Sequence, residues 1–459
     1  MPPDDNADRD ELFRQAWRLR DEKRPAEALS LFERLIGLEP NGYRARDGLG
    51  VAFGDLGRRA EAIDQFERAV AVASQNGSLW QNLGVAQLRA SRFQESVVSL
   101  ETALTLGHRT EDLFASLAIA LFRCARHLDA MPLFERIWAS ASGDASTRYI
   151  GAECALALGD FRRGLAWFES RWDMQPAMAE FMPSGRPWLG NFPIEGKTIL
   201  VFAEQGMGDS LQFCRYIPLL GRRAKVILAV PSPLGRLMRG LDGVDTILVE
   251  GQQAPAFDAW IPMLSLPLAF GTTVETIPAA VPYLHADPNQ QSAWHDYVSS
   301  LPGRKVGLVW AGAPNRDAPD VDPVDKRRSM TLGHFAPLAS VPGVCLISLQ
   351  KGPAAAQARF APEGMELHDW TEDIDDFADT AALVEALDLV ISVDTSVAHL
   401  AGALGKPVWI LNRYDQCWRW MIGRAGSPWY PTARIFRQKS PGDWAGVVEA
   451  VVEALRAGE

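Results

Sequence analysis

Trp80-Gln81-Asn82-Leu83-Gly84, followed by Ser96 and Leu100, is the stretch on which the fold of this chain turns. Leu49-Gly50 stands 34 residues before Leu83-Gly84, and Leu117-Ala118 and Gly151-Ala152 continue the column. Small residues recur at the same interval at Ala28, Ala62, Ser96, Ala130 and Gly164, and four residues further on stand Phe32, Phe66, Leu100, Phe134 and Phe168. A small residue four before a large apolar one puts both on one helix face, where the small one lets a second helix come close. A period of this length kept without insertion predicts helix pairs stacked into a solenoid, about five units over residues 9–175. The last unit loses its Leu-Gly pair and runs into Phe168-x-x-x-Trp172, so it is expected to cap the array and meet the next domain.

From 176 to 196 the periodicity stops at Pro176, Pro183, Pro187 and Pro193. Trp188 and Phe192 in this segment predict a packed strap, since a free linker would lack them. After Gly196 apolar runs bounded by turn residues read as buried parallel strands: Thr198–Ala203, Lys225–Val230, Asp245–Val249, Ala259–Leu264, Val306–Trp310, Val344–Leu349, Leu389–Val393 and Pro407–Leu411. Helical stretches such as Gly208–Leu220, Phe377–Leu387, Ser396–Leu404 and the final Trp444–Ala457 alternate with them, which predicts doubly wound parallel sheets. The segment from Trp294 through Pro302-Gly303 reads as a connection between two lobes, 197–300 and 301–459. The fold class is therefore an α-solenoid followed by two α/β lobes, and a fragment beginning near Pro183 is expected to keep both sheets.

Composition narrows the function. In 459 residues with a net charge of −11 there is no general pull toward nucleic acid or an anionic membrane. The start of the chain is polar and acidic, without an apolar run behind a basic end, so no signal peptide is expected. No run of 18 apolar residues predicts a membrane span. The five cysteines (Cys124, Cys154, Cys214, Cys345 and Cys417) are scattered and never form a C-x-x-C pair, which fits a reducing cytoplasm and predicts neither a disulfide framework nor a zinc site.

In parallel α/β sheets ligands sit at loops leaving the carboxyl ends of strands. Four such loops carry unusual residues. Glu204-Gln205-Gly206-Met207-Gly208-Asp209 permits a tight turn and sets Asp209 near a helix start, either as a plain cap or as a catalytic carboxylate. Asp394-Thr395-Ser396-Val397-Ala398-His399 puts a carboxylate at a strand end, hydroxyls at a helix start and a histidine in its first turns; free N–H groups there can take an anion, or Asp394 can cap and His399 pack. Lys326-Arg327-Arg328-Ser329, in a long loop, can clamp a diphosphate or simply be solvated. Gln350-Lys351-Gly352 offers an amide to a base edge and an ammonium to a phosphate, or only an exposed turn. Asp320-x-Asp322 matches a metal motif superficially, but it follows no strand directly, and no metal is expected.

The order of these loops, Gly206-Met207-Gly208-Asp209 and then Asp394-Thr395-Ser396-Val397-Ala398-His399-Leu400-Ala401-x-Ala403-Leu404-Gly405-x-Pro407, resembles the heptosyltransferase-like glycosyltransferases of family 9, over about residues 197–437. The repeat pattern resembles the tetratricopeptide (TPR) signature. Together the layout is similar to O-GlcNAc-transferase-type proteins, in which TPRs present a polypeptide to a GT-B module, and to bacterial TPR glycosyltransferases that modify flagellin. The resemblance implies an inverting enzyme without a metal cofactor, using a nucleotide sugar. It implies Asp209 as general base. Arg328, Gln350, Lys351, Asp394, Thr395, Ser396 and His399 become donor contacts, while Glu204, Gln205, Gly206, Gly208, Lys326 and Trp418 stand as donor- or acceptor-side candidates. It implies a protein acceptor, flagellin among the candidates, held by the array. Ser396 departs from the glycine usual in the family. Asn412-Arg413-Tyr414-Asp415-Gln416-Cys417-Trp418-Arg419-Trp420 is also unlike heptosyltransferases; its aromatics and arginine either stack on a ligand or pack between lobes. A lipid or saccharide acceptor, and a scaffold with an inactive transferase domain, are the alternative readings.

Overall fold

A computed structural model describes residues 5–174, 182–312 and 322–459. The chain divides into two compact units, Met1–Cys154 and Ala155–Glu459, with the division inside the helix Ala145–Ala157. No helix of the described residues is long and apolar enough to cross a membrane.

The first unit consists of paired helices, among them Pro25–Leu38, Tyr43–Asp55, Arg59–Val72, Gly77–Arg89, Phe93–Thr105, Glu111–Arg123 and His127–Ala139. Both sequence columns are buried: Ala28, Ala62, Ser96 and Ala130 with Phe32, Phe66, Leu100 and Phe134. A Cβ on Gly84 would lie 2.6 Å from Leu100 Cγ, which is why the column needs a small residue there. Ser96, the polar member, donates its hydroxyl to Gly84 O at 2.7 Å, so its burial leaves no orphan group. One feature of the repeat was not legible. Lys23, Gly57, Ser91 and Ala125, each 34 residues apart, all adopt positive φ (60°, 73°, 61° and 58°) at the turn inside each pair. Only one of these four is glycine, and each side chain there costs about 1–2 kcal/mol, which helix packing must offset.

The second unit begins with the last repeat. Phe161, Gly164 and Phe168 of helix Phe161–Phe168 are buried in it, with Phe161 stacked on Trp429 at 5.8 Å and Phe168 edge-on to Trp418 at 5.9 Å. The cap expected to end the array is therefore part of the α/β module's core.

Two all-parallel sheets follow. The first holds β1 (Arg186–Pro187), β2 (Thr198–Phe202), β3 (Lys225–Val230), β4 (Thr246–Val249) and β5 (Ala259–Pro262) in the order β1-β5-β2-β3-β4. The second holds β6 (Arg304–Val309), β7 (Val344–Ser348), β8 (Leu367–Asp369), β9 (Leu389–Val393), β10 (Val408–Asn412) and β11 (Ala433–Arg437) in the order β11-β10-β9-β6-β7-β8. The strap contributes β1, which pairs with β5, while Trp188 is buried against Phe270. Pro176 and Asp320 lie outside the described residues. The three strands absent from the sequence reading (β1, β8 and β11) are outer strands, short or partly polar. The stretch Gly208–Leu220 is not one helix: it runs as Met207–Phe213, a 3-10 turn and Ile217–Gly221, with Pro218 opening the last piece. Asp322–Arg328, expected as loop, is a helix. The final helix, Trp444–Arg456, buries Trp444, Val447, Val448 and Val451 against the second sheet.

Each sheet reverses its winding beside one strand. The first turns between β2 and β5 and the second between β6 and β9, so the loops after β2 and β9 leave from the two switch points, where α/β sheets bind ligands.

Candidate functional site

The loop after β2 carries Gln205 at φ 59°, a left-handed position that bends the chain sharply into the helix Met207–Phe213. Gln205, Gly206 and Met207 are exposed on this lip. Asp209 turns back to accept the Gly206 N–H at 2.9 Å on Oδ2, the reciprocal bond of a capping arrangement. The capping reading of Asp209 is therefore realised, and a second contact accompanies it: Oδ1 forms an ion pair with Arg419 Nη2.

After β9, Asp394 and Thr395 lead into the helix Ser396–Ala403. No side chain caps this helix, leaving N–H groups of its first turn for a ligand. Thr395 Oγ1 is bonded to Ser392 Oγ at 2.9 Å, whereas the half-buried Ser396 hydroxyl has no partner among the described residues. Gly208 is what joins the two motifs. A Cβ there would meet His399 Cδ2 at 2.9 Å and Ser396 Cα at 3.3 Å, so only glycine lets the two helix starts touch.

His399 is buried, stacked on Trp420 at 5.1 Å and 16°, with Nδ1 bonded to Tyr430 Oη at 3.0 Å and Nε2 3.9 Å from Asp394 Oδ1. Burial pulls its imidazole down to about 4 despite Asp394, so it is neutral at pH 7 and can give one N–H to an anion. Behind it Arg215, also buried, donates to Trp429 O at 2.6 Å and Tyr283 Oη at 2.8 Å and lies over the Tyr430 ring at 4.6 Å, tying the two lobes. Arg328, placed by the unexpected helix, donates to Asp394 O at 3.2 Å and pairs with Asp325; its buried Nε has no partner among the described residues. A cation with a donor to spare thus stands beside an uncapped helix start. Lys326, on the same helix, is exposed.

Other candidates have different occupations. The Gln350 amide accepts from Trp310 N (3.0 Å) and Ala311 N (2.8 Å) and donates to Ala311 O (3.0 Å) and Lys351 O (2.9 Å). All four of its bonds are in use, so it cannot read a base edge here, contrary to expectation. Lys351 Nζ donates to Thr371 O at 2.6 Å and Ile374 O at 2.7 Å, tying the loop after β7 to the one after β8 instead of reaching a diphosphate. Glu204 is buried in a two-pronged ion pair with Arg171 (2.9 and 2.8 Å) and accepts from Leu264 N at 3.2 Å. Burial raises its carboxyl even against Arg171, and its task is to lock the last repeat to the first sheet. Trp418 is buried among Phe161, Phe168, Phe213 and Trp429, so it packs between lobes and presents no face to a base.

Residues 375–441 match the glycosyltransferase family 9 (heptosyltransferase) description, a span holding Asp394, Ser396, His399 and Arg419. Over 340 residues the chain is 31% identical to protein FlbA of Caulobacter vibrioides, covering 68% of this chain and 55% of FlbA. It therefore spans about half the length of that relative. A family 9 glycosyl transferase structure from Veillonella parvula aligns with 58% of this chain and 98% of its own at TM-score 0.44 and 12% identity. YrrB, described as a TPR protein with an unusual peptide-binding site, aligns with 37% of this chain and 91% of its own at TM-score 0.32 and 19% identity. Residues 375–441 of the second lobe are thus similar to the heptosyltransferase-like family 9 glycosyltransferases, and the helix pairs of the first unit precede the α/β module in the chain.

Proposed function

We propose that this protein is an inverting glycosyltransferase that moves a sugar from a nucleotide sugar to a hydroxyl of a polypeptide held by the repeat array. The observation that carries the reading is the junction at Gly208, which sets Asp209 beside the uncapped start of helix Ser396–Ala403. In the reaction the acceptor oxygen attacks the anomeric carbon, the bond from that carbon to the nucleotide phosphate breaks, and the hydroxyl proton passes to Asp209. Arg328, Ser396, the helix-start N–H groups and neutral His399 take up the charge that develops on the departing nucleotide phosphate. These groups supply positive charge and donors without a divalent cation, so activity should survive EDTA. The array would raise the local concentration of the acceptor, with flagellin a candidate.

Calorimetric screening of ADP-, UDP-, GDP- and CMP-sugars identifies the donor, and mass spectrometry of polypeptides captured by the full chain identifies the acceptor. With both in hand, Asp209→Asn should leave donor affinity nearly unchanged while transfer falls about 10²-fold or more. Transfer at the parent rate would remove Asp209 from the reaction. Transfer to a saccharide or lipid alone would replace the polypeptide acceptor.

A further inference from the structure

Asp209 belongs to the first lobe, but the group that holds its outer oxygen does not. One oxygen is fixed locally by Gly206 N–H at 2.9 Å. The other is paired with Arg419, 210 residues away on the second lobe, in the turn Trp418–Trp420 that follows β10. The two side chains are 16% and 10% exposed, so water screens the pair poorly. Arg419 is also seated firmly. Its guanidinium lies over the buried Trp418 ring at 4.6 Å, and Nη1 donates to Cys417 Sγ at 3.2 Å. The next residues are pinned by Arg437, which donates to Trp420 O at 2.9 Å and Met421 O at 2.8 Å, and Met421 leaves the turn at φ 47°. The charged and titratable groups around this point are Arg419, the neutral His399 beyond Gly208, Asp394 facing that imidazole, and Arg215 behind Tyr430.

We propose that Arg419 is a positioning residue for the base: from the second lobe it holds the Asp209 carboxylate, so that the base is aimed only while the two lobes are together. The inference rests on the reading of Asp209 as base. A planar guanidinium suits the task because it offers donors in fixed directions, where an ammonium would not define the carboxylate plane. Chemistry then depends on closure, since parting the lobes leaves Asp209 held by a single N–H. Water cannot be activated by a correctly aimed base until the donor lobe is in place, which limits loss of donor to hydrolysis in an open state.

The test uses the full chain and measures nucleotide release by water from whichever of the ADP-, UDP-, GDP- or CMP-sugars binds, so it needs no acceptor. Arg419→Gln is expected to lower kcat about 10- to 10²-fold with the donor KM within about twofold, as for a small misplacement of a reacting group. Arg419→Lys should lie between parent and glutamine variant, and guanidinium ion added to Arg419→Ala should restore part of the rate. If Arg419 acts through Asp209, Asp209→Asn combined with Arg419→Gln is no slower than Asp209→Asn alone. Thermal unfolding of each variant separates loss of fold from loss of aim, and the lysine variant keeps the charge should the others fail to fold. A parent kcat in Arg419→Gln, or a double variant slower by the full product of the single losses, overturns the inference while leaving Asp209 as base. A parent rate in Asp209→Asn removes the base reading itself, and with it the role assigned to Arg419.

Discussion

Replacing Gly208 by alanine probes the junction of the two motifs with one methyl group. In an open helix the change would stabilise by about 1 kcal/mol, because glycine is a poor helix former. Here the new Cβ would stand 2.9 Å from His399 Cδ2 and 3.3 Å from Ser396 Cα. Ordinary carbon contacts begin at about 3.5 Å, so the shortfall to the ring is about 0.6 Å. The ring cannot yield cheaply, since it is stacked on Trp420 and bonded to Tyr430, and the Ser396 atom is backbone. The helices must therefore part by several tenths of an ångström. Overpacking of this kind costs about 1–3 kcal/mol, which matches or exceeds the propensity gain and leaves a net loss of about 0–2 kcal/mol. Activity should suffer more than stability. Parting the helices draws Asp209 away from Arg419 and from the start of helix Ser396–Ala403, and a shift of about 1 Å at a reacting centre can cost about 10²-fold. Thermal unfolding followed by circular dichroism, with nucleotide release from the donor, reads both effects; we expect a small fall in Tm and at least about a 10-fold fall in rate. A variant that gained the full helix-propensity stabilisation and kept the parent rate would show that the helices do not meet in this way.

Three further outcomes follow from the same geometry. The His399 imidazole sits at about 4 when folded against an ordinary 6.5, so the folded protein binds fewer protons between these values. Its contribution is complete above about pH 6.5 and is lost as pH falls toward 4, by on the order of 3 kcal/mol in all; urea midpoints at pH 7.5 and 5 should fall less in His399→Gln than in the parent, and equal falls would contradict a buried neutral ring. Arg171→Met strands the buried Glu204 carboxylate and the partly exposed Glu169 carboxylate and should cost about 3–5 kcal/mol, part of it recovered when Glu204→Met is added; a double variant as unstable as the single would mean that the buried Glu204 charge is not what burial penalises. A fragment of residues 144–459 should unfold cooperatively, whereas 183–459 should bind a hydrophobic dye and be cut rapidly by protease, because it lacks Phe161, Phe168 and Arg171; comparable protection of both would assign the last repeat to the array after all.

Much of the candidate site was legible because each motif is local. Asp209 three residues past a glycine turn, and hydroxyls at a helix start after a buried strand, follow from strand-to-helix geometry within a dozen residues. Where side-chain partners lie far off in the chain, the sequence could not decide between readings. Gln350 and Lys351 stand at a strand end as expected, but their bonds close on Trp310, Ala311, Thr371 and Ile374. The aromatic run around Trp418 was readable as ligand stacking or lobe packing, and only its burial among rings from three other segments selects packing.

What the sequence by itself determined is what repeats or alternates with a short period. The 34-residue columns specify the helix pairs, since each repeat touches mainly its neighbours, and continuous apolar runs specify parallel strands buried on both faces. Left to the tertiary structure were the order of strands in each sheet, which places the loops after β2 and β9 at switch points, and the ion pairs between segments distant in the chain. Arg419 reaches Asp209 over 210 positions and Arg171 reaches Glu204 over 33. No periodicity encodes such pairs: an arginine reads alike in a solvated loop and in a buried ion pair, and only the surrounding burial, which the assembled lobes create, distinguishes the two.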